Sequence, residues 1–181
     1  ATGYAMVFPL LSFYALSFNV GAFAIGVLMN VFAFMQFIFS PIMGRLSDKY
    51  GRRNLLMISI LVSGFSFILF ATAVSYWMLL FSRILSGTAT EISIAQAYMA
   101  DITSNKKRTS GLGQVRAAFS GGVILGPAIG GFLSTFGYWA PGFLATILIV
   151  INLLFVYIFL PETVEKEKND GRAPIQKKRK G

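Results

Sequence analysis

The chain contains no cysteine and no histidine. Disulfides, Cys/His metal centres, thiol nucleophiles and imidazole proton relays are excluded, and any proton chemistry falls to carboxylates. Charge is scarce as well: 13% of the residues are charged, against about 25% in an average soluble domain. A surface of ordinary size cannot be solvated with so little. Apolar bulk takes its place, at 55% of the chain, with eighteen Phe, eighteen Gly and a mean hydropathy of +0.67. Apolar side chains suit a lipid solvent, and small residues let helices approach closely within it. The apolar runs recur along the whole sequence, which separates the pattern from a signal peptide.

A hydrocarbon core about 30 Å thick is crossed by roughly 20 apolar residues in a helix. Five segments reach that length, near residues 21–43, 54–74, 77–100, 111–134 and 142–160. A sixth, residues 1–16, is apolar but short, contains Pro9 and lacks an initiating Met. It is read as the second half of a span whose start is missing. Long runs without alternation predict helices rather than barrel strands. The expected fold is an all-α, six-helix transmembrane bundle over residues 1–160. A basic tail over residues 161–181 opens at Pro161, a natural helix stop.

Fourteen of the sixteen basic residues lie in three places. Arg45, Lys49, Arg52 and Arg53 follow the second span, Lys106, Lys107 and Arg108 follow the fourth, and the rest crowd the tail. The intervening connections hold none. The positive-inside rule then puts these three segments and the C-terminus in the cytoplasm of a cell membrane. The tail is expected to be a solvated linker, with contact to anionic lipid through its KKRK end as the alternative. The net charge of +9 is thus a topology signal, and no soluble basic domain exists to bind nucleic acid.

The densest knot of charge, GRLSDKYGRRNLL from Gly44 to Leu56, joins the second and third spans. Asp48 and Arg52 are four apart and face one way if the third helix begins near there. Asp101, at the inner end of the fourth span, is placed to complete an Asp–Arg–Asp cluster. A plain cytoplasmic loop with exposed ion pairs is the alternative. It accounts for the basic residues but poorly for the spacing of Gly44, Asp48, Gly51, Arg52 and Arg53.

In the fourth span Arg83, Gly87 and Glu91 recur every fourth residue and share one helix face. Arg83 and Glu91 stand about 12 Å apart along the axis, at ~1.5 Å per residue. Ionisable groups at membrane depth are costly unless they face the bundle interior or a wet cavity, so both are expected to look onto a central cavity. Glu91 is then a proton carrier, a structural partner of Arg83 or a contact for a cationic substrate. In the fifth span Ala118, Gly122, Gly126, Gly130 and Ser134 form a groove for close helix packing. Pro127 withholds an amide from the Val123 carbonyl and predicts a bend. Arg116 is expected to snorkel to the inner interface. Tyr14, Asn30, Tyr98 and Asn152 are candidate substrate contacts, or hydrogen-bonding groups between helices.

These motifs resemble those of the major facilitator superfamily, most closely the N-terminal half of its drug:proton antiporters, over nearly the whole chain. Gly44, Leu46, Asp48, Gly51, Arg52 and Arg53 match the family signature between its second and third helices. Arg83 and Gly87 (RILSG) match its fourth-helix pattern. Ala100 and Asp101, followed by Arg108, resemble the end of that helix and its loop. Gly122, Gly126, Pro127, Gly130 and Gly131 (GVILGPAIGG) match the antiporter signature of the fifth helix.

The resemblance implies half of a twelve-helix fold with its first helix truncated. A second six-helix half would come from a missing C-terminal portion or another chain. It further implies a cytoplasmic gate at Asp48, Arg52 and Asp101, with Asp48 meeting the end of a helix in the other half. It assigns Arg83 to proton coupling, and to the fifth helix a motif that separates antiporters from symporters and limits leak. It does not cover Glu91, where the family usually has a small or neutral residue.

The expected function is proton-coupled efflux of amphipathic or cationic small molecules by alternating access. The partners are the bilayer, the substrate and protons. No cofactor, metal or enzyme constellation is expected. A facilitator or symporter for a sugar or organic anion is the first alternative, and the fifth-span signature weighs against it. A non-transporting membrane scaffold is the second, and it has no need of an intramembrane Arg and Glu.

Overall fold

The computed structural model describes residues 2–103 and 107–161. Lys106 and the expected tail beyond Pro161 lie outside the described residues. Among the described residues the chain forms seven helices and no strand: α1 (Thr2–Leu16), α2 (Ala22–Tyr50), α3 (Arg52–Ala71), α4 (Tyr76–Thr88), α5 (Glu91–Ile102), α6 (Arg108–Ser134) and α7 (Trp139–Phe159). Of these, α2, α3, α6 and α7 are long and apolar enough to cross a membrane. The shorter α1 is apolar as well.

The fourth span departs from expectation. Instead of one helix over residues 77–100, α4 stops at Thr88 and α5 starts at Glu91. Ala89 is extended, and Thr90 sits at φ −110°, ψ 46°. Local hydrogen bonds accompany the break. Thr88 donates its hydroxyl to the Leu85 carbonyl, a bond that competes with the helical ladder, and the Ala89 amide tightens onto Ser86. Arg83 and Glu91 therefore belong to two half-helices rather than to one continuous face.

The charged knot is also more ordered than a loop. α2 runs on to Tyr50, and the whole turn into α3 is made at Gly51, whose φ is +99°. A side chain is strained in that conformation, and glycine is not.

Two apolar clusters organise the bundle. At the end away from Gly51, Leu11 and Tyr14 of α1 pack with Leu28, Phe67, Phe70, Leu79 and Ala145. At the Gly51 end, Leu55, Leu56 and Ile60 of α3 meet Ile94 of α5 and Val156 of α7. The outer surface is apolar too: Phe23, Phe37, Trp77, Ile124 and Phe132 are all exposed. A soluble fold hides such an apolar surface, and a lipid-facing one displays it.

α1 packs chiefly on α6. The contact is backbone to backbone, because a Cβ at Gly130 would stand 2.5 Å from the Met6 carbonyl oxygen and one at Gly126 2.8 Å from the Ala5 carbonyl carbon. α6 continues without interruption through Pro127, which lies on its exposed side.

Candidate functional site

Between the two apolar clusters lies a cavity of about 440 Å³, to which all seven helices contribute. That size suits a drug-like molecule. Four aromatic rings line it, Tyr4 from α1, Phe32 from α2, Phe67 from α3 and Phe119 from α6, among aliphatic and small residues. Tyr4 and Phe32 stack with centroids 4.5 Å apart. The polar groups on the wall include Gln36, Ser63, Ser86, Glu91 and Asn152.

Glu91 stands on the wall as the first residue of α5, just after the chain break. Its Oε1 is sealed from solvent and has no hydrogen-bond partner among the described residues. The side chain of Ser63 interacts with the carboxylate. The neighbouring Thr90 is fully buried and its hydroxyl is likewise unpartnered.

Arg83 is a buried residue of α4. It is 1% exposed, its three guanidinium nitrogens make no hydrogen bond among the described residues, and its Cζ sits 5.5 Å from the Phe70 ring centroid. It is not part of the cavity wall. No ion pair joins Arg83 to Glu91 among the described residues; the two ion pairs found there belong to Arg52.

Arg52 is the hub of the charged end. Its Nη2 lies 2.5 Å from Asp48 Oδ1, its Nε donates to Asp101 Oδ2 at 2.8 Å, and its Nη1 donates to Ser47 Oγ at 2.5 Å. The Asp–Arg–Asp cluster thus forms, although not through a shared helix face. Asp48 closes α2, Arg52 opens α3, and the Gly51 turn brings the two side chains together. The Asp48 side chain is 61% exposed, so it can meet a further partner. A Cβ at Gly44 would have nothing within 4 Å, so its flank of α2 is open. Arg53 turns the other way, donating to the Tyr157 carbonyl oxygen at 2.6 Å and lying over the Tyr157 ring, which ties α3 to α7.

On α6, Gly122, Gly126 and Gly130 are buried, and Gly131 is exposed with open space around it. The four candidate contacts divide. Asn152 is on the cavity wall; Tyr14, Asn30 and Tyr98 are not. Tyr14 donates to the Ala73 carbonyl at 2.6 Å within the apolar cluster, Tyr98 donates to the Pro161 carbonyl at 3.0 Å, and exposed Asn30 donates to the Gly26 carbonyl at 2.8 Å.

Sequence reasoning missed Ser47, Tyr4 and Ser63. A signal for Ser63 existed: Ser59, Ser63 and Ser66 sit four and three residues apart in the third span and so share one helix face.

Comparison with known proteins agrees with this architecture. The Major Facilitator Superfamily model matches residues 1–180. The class B tetracycline resistance protein of Escherichia coli is 37% identical over 145 residues, covering 80% of this chain and 36% of that protein. Multidrug resistance protein 2 of Bacillus subtilis (strain 168) is 32% identical over 168 residues, covering 92% of this chain and 42% of that protein. The crystal structure of the human organic anion transporter MFSD10 (TETRAN) superposes with a TM-score of 0.71 at 28% identity, over 90% of this chain and 40% of that one. The chain therefore spans well under half the length of the relatives it matches. A family match along almost the whole sequence, on long apolar helices gathered around an interior cavity, makes this chain a multi-pass membrane protein of the Major Facilitator Superfamily.

Proposed function

We propose that this chain is one six-helix half of a secondary transporter that exports amphipathic, cationic small molecules from the cell in exchange for protons. The observation that carries the reading is the cavity: four aromatic rings and a single carboxylate, Glu91, whose Oε1 has no partner among the described residues. Aromatic faces attract organic cations, and a carboxylate adds the opposite charge. The same carboxylate holds a proton when the cargo is absent. Resemblance to tetracycline and multidrug resistance proteins supports this assignment.

The roles follow from position. Glu91 and Arg83 couple the proton. Asp48, Arg52 and Asp101, flanked by Gly44, Gly51 and Arg53, form the cytoplasmic gate, with exposed Asp48 reaching a helix end of a second six-helix half. Gly122, Gly126, Pro127, Gly130 and Gly131 let α6 slide on α1 without opening a leak. Asn152 contacts cargo. The basic C-terminal segment faces the cytoplasm.

Adding a cationic drug such as tetraphenylphosphonium to the purified protein in weakly buffered detergent tests the reading. Release of a proton on binding, lost in Glu91→Gln, is expected. Binding without proton release refutes it. Transport of an organic anion is the second reading, favoured by the likeness to the human organic anion transporter. The cavity presents Glu91 while Arg83 stays behind its wall, which weighs against that reading.

A further inference from the structure

We infer that the face of α3 carrying Ser59, Ser63 and Ser66 is a buried file of water that supplies protons to Glu91 and meets the cargo cavity only at Ser63 and Glu91. The inference rests on the proton-coupling role proposed for Glu91.

Its basis is where the buried, unpartnered polar atoms fall. Those among the described residues belong to Arg53, Ser59, Ser66, Arg83, Thr90 and Glu91. Apart from Arg53 they lie on α3, on α4 and at the start of α5, and α3 packs on both α4 and α5. Helix hydroxyls ordinarily bond back to a carbonyl one turn earlier. Ser47, Thr72, Ser82, Ser134 and Thr146 do so here. Ser59 and Ser66 do not, although they are 2% and 0% exposed. A buried hydroxyl left unpaired costs about 1–3 kcal/mol, and a water with several polar neighbours removes that cost.

Three facing pairs fix the antiparallel register of α3 against α4 and α5: Arg52 with Asp101, Ser63 with Glu91, and Phe70 with Arg83. Ser66 therefore falls between the levels of Glu91 and Arg83, and Ser59 between those of Glu91 and Asp101. Residues one helical turn apart have Cβ atoms about 5–6 Å from each other, which one water bridges with two ordinary hydrogen bonds.

Of the three serines only Ser63 lines the cavity, so the other two continue the row behind its wall. The titratable groups along the row are Glu91 from α5, Arg83 from α4 and Tyr4 from α1, which interacts with Arg83. A proton entering at the Arg83 level passes along the file as each water accepts one proton and hands on another. The last one binds Glu91 Oε1, and no other reactant is consumed.

The chain has no cysteine, and any in a second half is first replaced by serine, so that single cysteines are read without background. Ser59→Cys, Ser63→Cys and Ser66→Cys are made in the intact protein in proteoliposomes, with outward-facing Leu61→Cys as control. Silver ion, small enough to follow a water file, is added, and the thiols left are counted with maleimide after denaturation. All three serine positions are expected to react much faster than Leu61→Cys. If only Ser63→Cys reacts, the cavity stands and the water file is refuted.

In a second arm, proton uptake driven by an imposed pH gradient is followed with an internal pH dye. Ser66→Ala is expected to slow it about tenfold, the equivalent of ~1.4 kcal/mol. Ser66→Thr is expected to restore it, and tetraphenylphosphonium binding to be unchanged in both. Unaltered uptake in Ser66→Ala overturns the route through Ser66. Unaltered uptake in Glu91→Gln overturns the coupling reading beneath it, whatever the silver reactivity.

Discussion

Replacing Gly130 by alanine, and separately making the same change one residue later at Gly131, isolates the contact that seats α1 on α6. Both substitutions gain the same helix propensity, about 0.8–1.0 kcal/mol. They differ in what the new methyl meets. At Gly130 it would stand 2.5 Å from the Met6 carbonyl oxygen and 3.0 Å from the Met6 Cα, both backbone atoms that cannot rotate away. At Gly131 nothing lies within 4 Å. Forcing a methyl group into a packed contact costs about 1–3 kcal/mol, so the two variants should differ by that amount, with Gly131→Ala the more stable.

For a domain of 150–250 residues this is a separation of roughly 2–12 °C in Tm. Thermal unfolding in dodecyl maltoside, followed by circular dichroism, measures it, and Gly121→Ala is a second open control. Equal Tm values for Gly130→Ala and Gly131→Ala, or the reverse order, would refute the close approach of α1 to α6.

The remaining predictions concern the charged end and the cavity. Gly51→Ala places a Cβ at φ +99° and should lower stability by about 1–3 kcal/mol in the same unfolding assay; no loss would mean that the turn relaxes freely. A double-mutant cycle of Arg52→Ala with Asp101→Asn should give a coupling of about 0.5–1 kcal/mol, small because Asp101 is 37% exposed. A coupling of zero would reduce this pair to proximity alone. Asp48→Asn should insert and fold normally yet abolish transport in everted vesicles; wild-type rates would remove Asp48 from the gate. Glu91→Gln should remove the pH dependence of tetraphenylphosphonium binding, and a retained pH dependence would assign the proton to another group.

Much of this architecture was legible in one dimension. The apolar runs at 21–43, 54–74, 111–134 and 142–160 mark helices because a chain in lipid has to satisfy its backbone polar groups within each segment. The four-residue spacing of Gly122, Gly126 and Gly130 marks a groove because those positions share a helix face. The Asp–Arg–Asp cluster was legible in composition but not in mechanism: Asp48 and Arg52 meet across the Gly51 turn, which spacing along one helix cannot distinguish from a shared face. The break before Glu91 was not legible, since Thr88 and Ala89 carry no strong breaking signal and a hydroxyl bond such as Thr88 to Leu85 also forms inside unbroken helices.

The sequence by itself determined the solvent of this protein and four of its spans, because hydropathy is a property of a chain read locally, and its motifs carried the resemblance to its family. Tertiary structure decided that Glu91 lines the cavity while Arg83 does not, that Asn152 and not Tyr14 or Tyr98 is on its wall, and that Ser59 and Ser66 lack partners among the described residues. Burial and pairing depend on which helices lie side by side, and no local pattern carries that information.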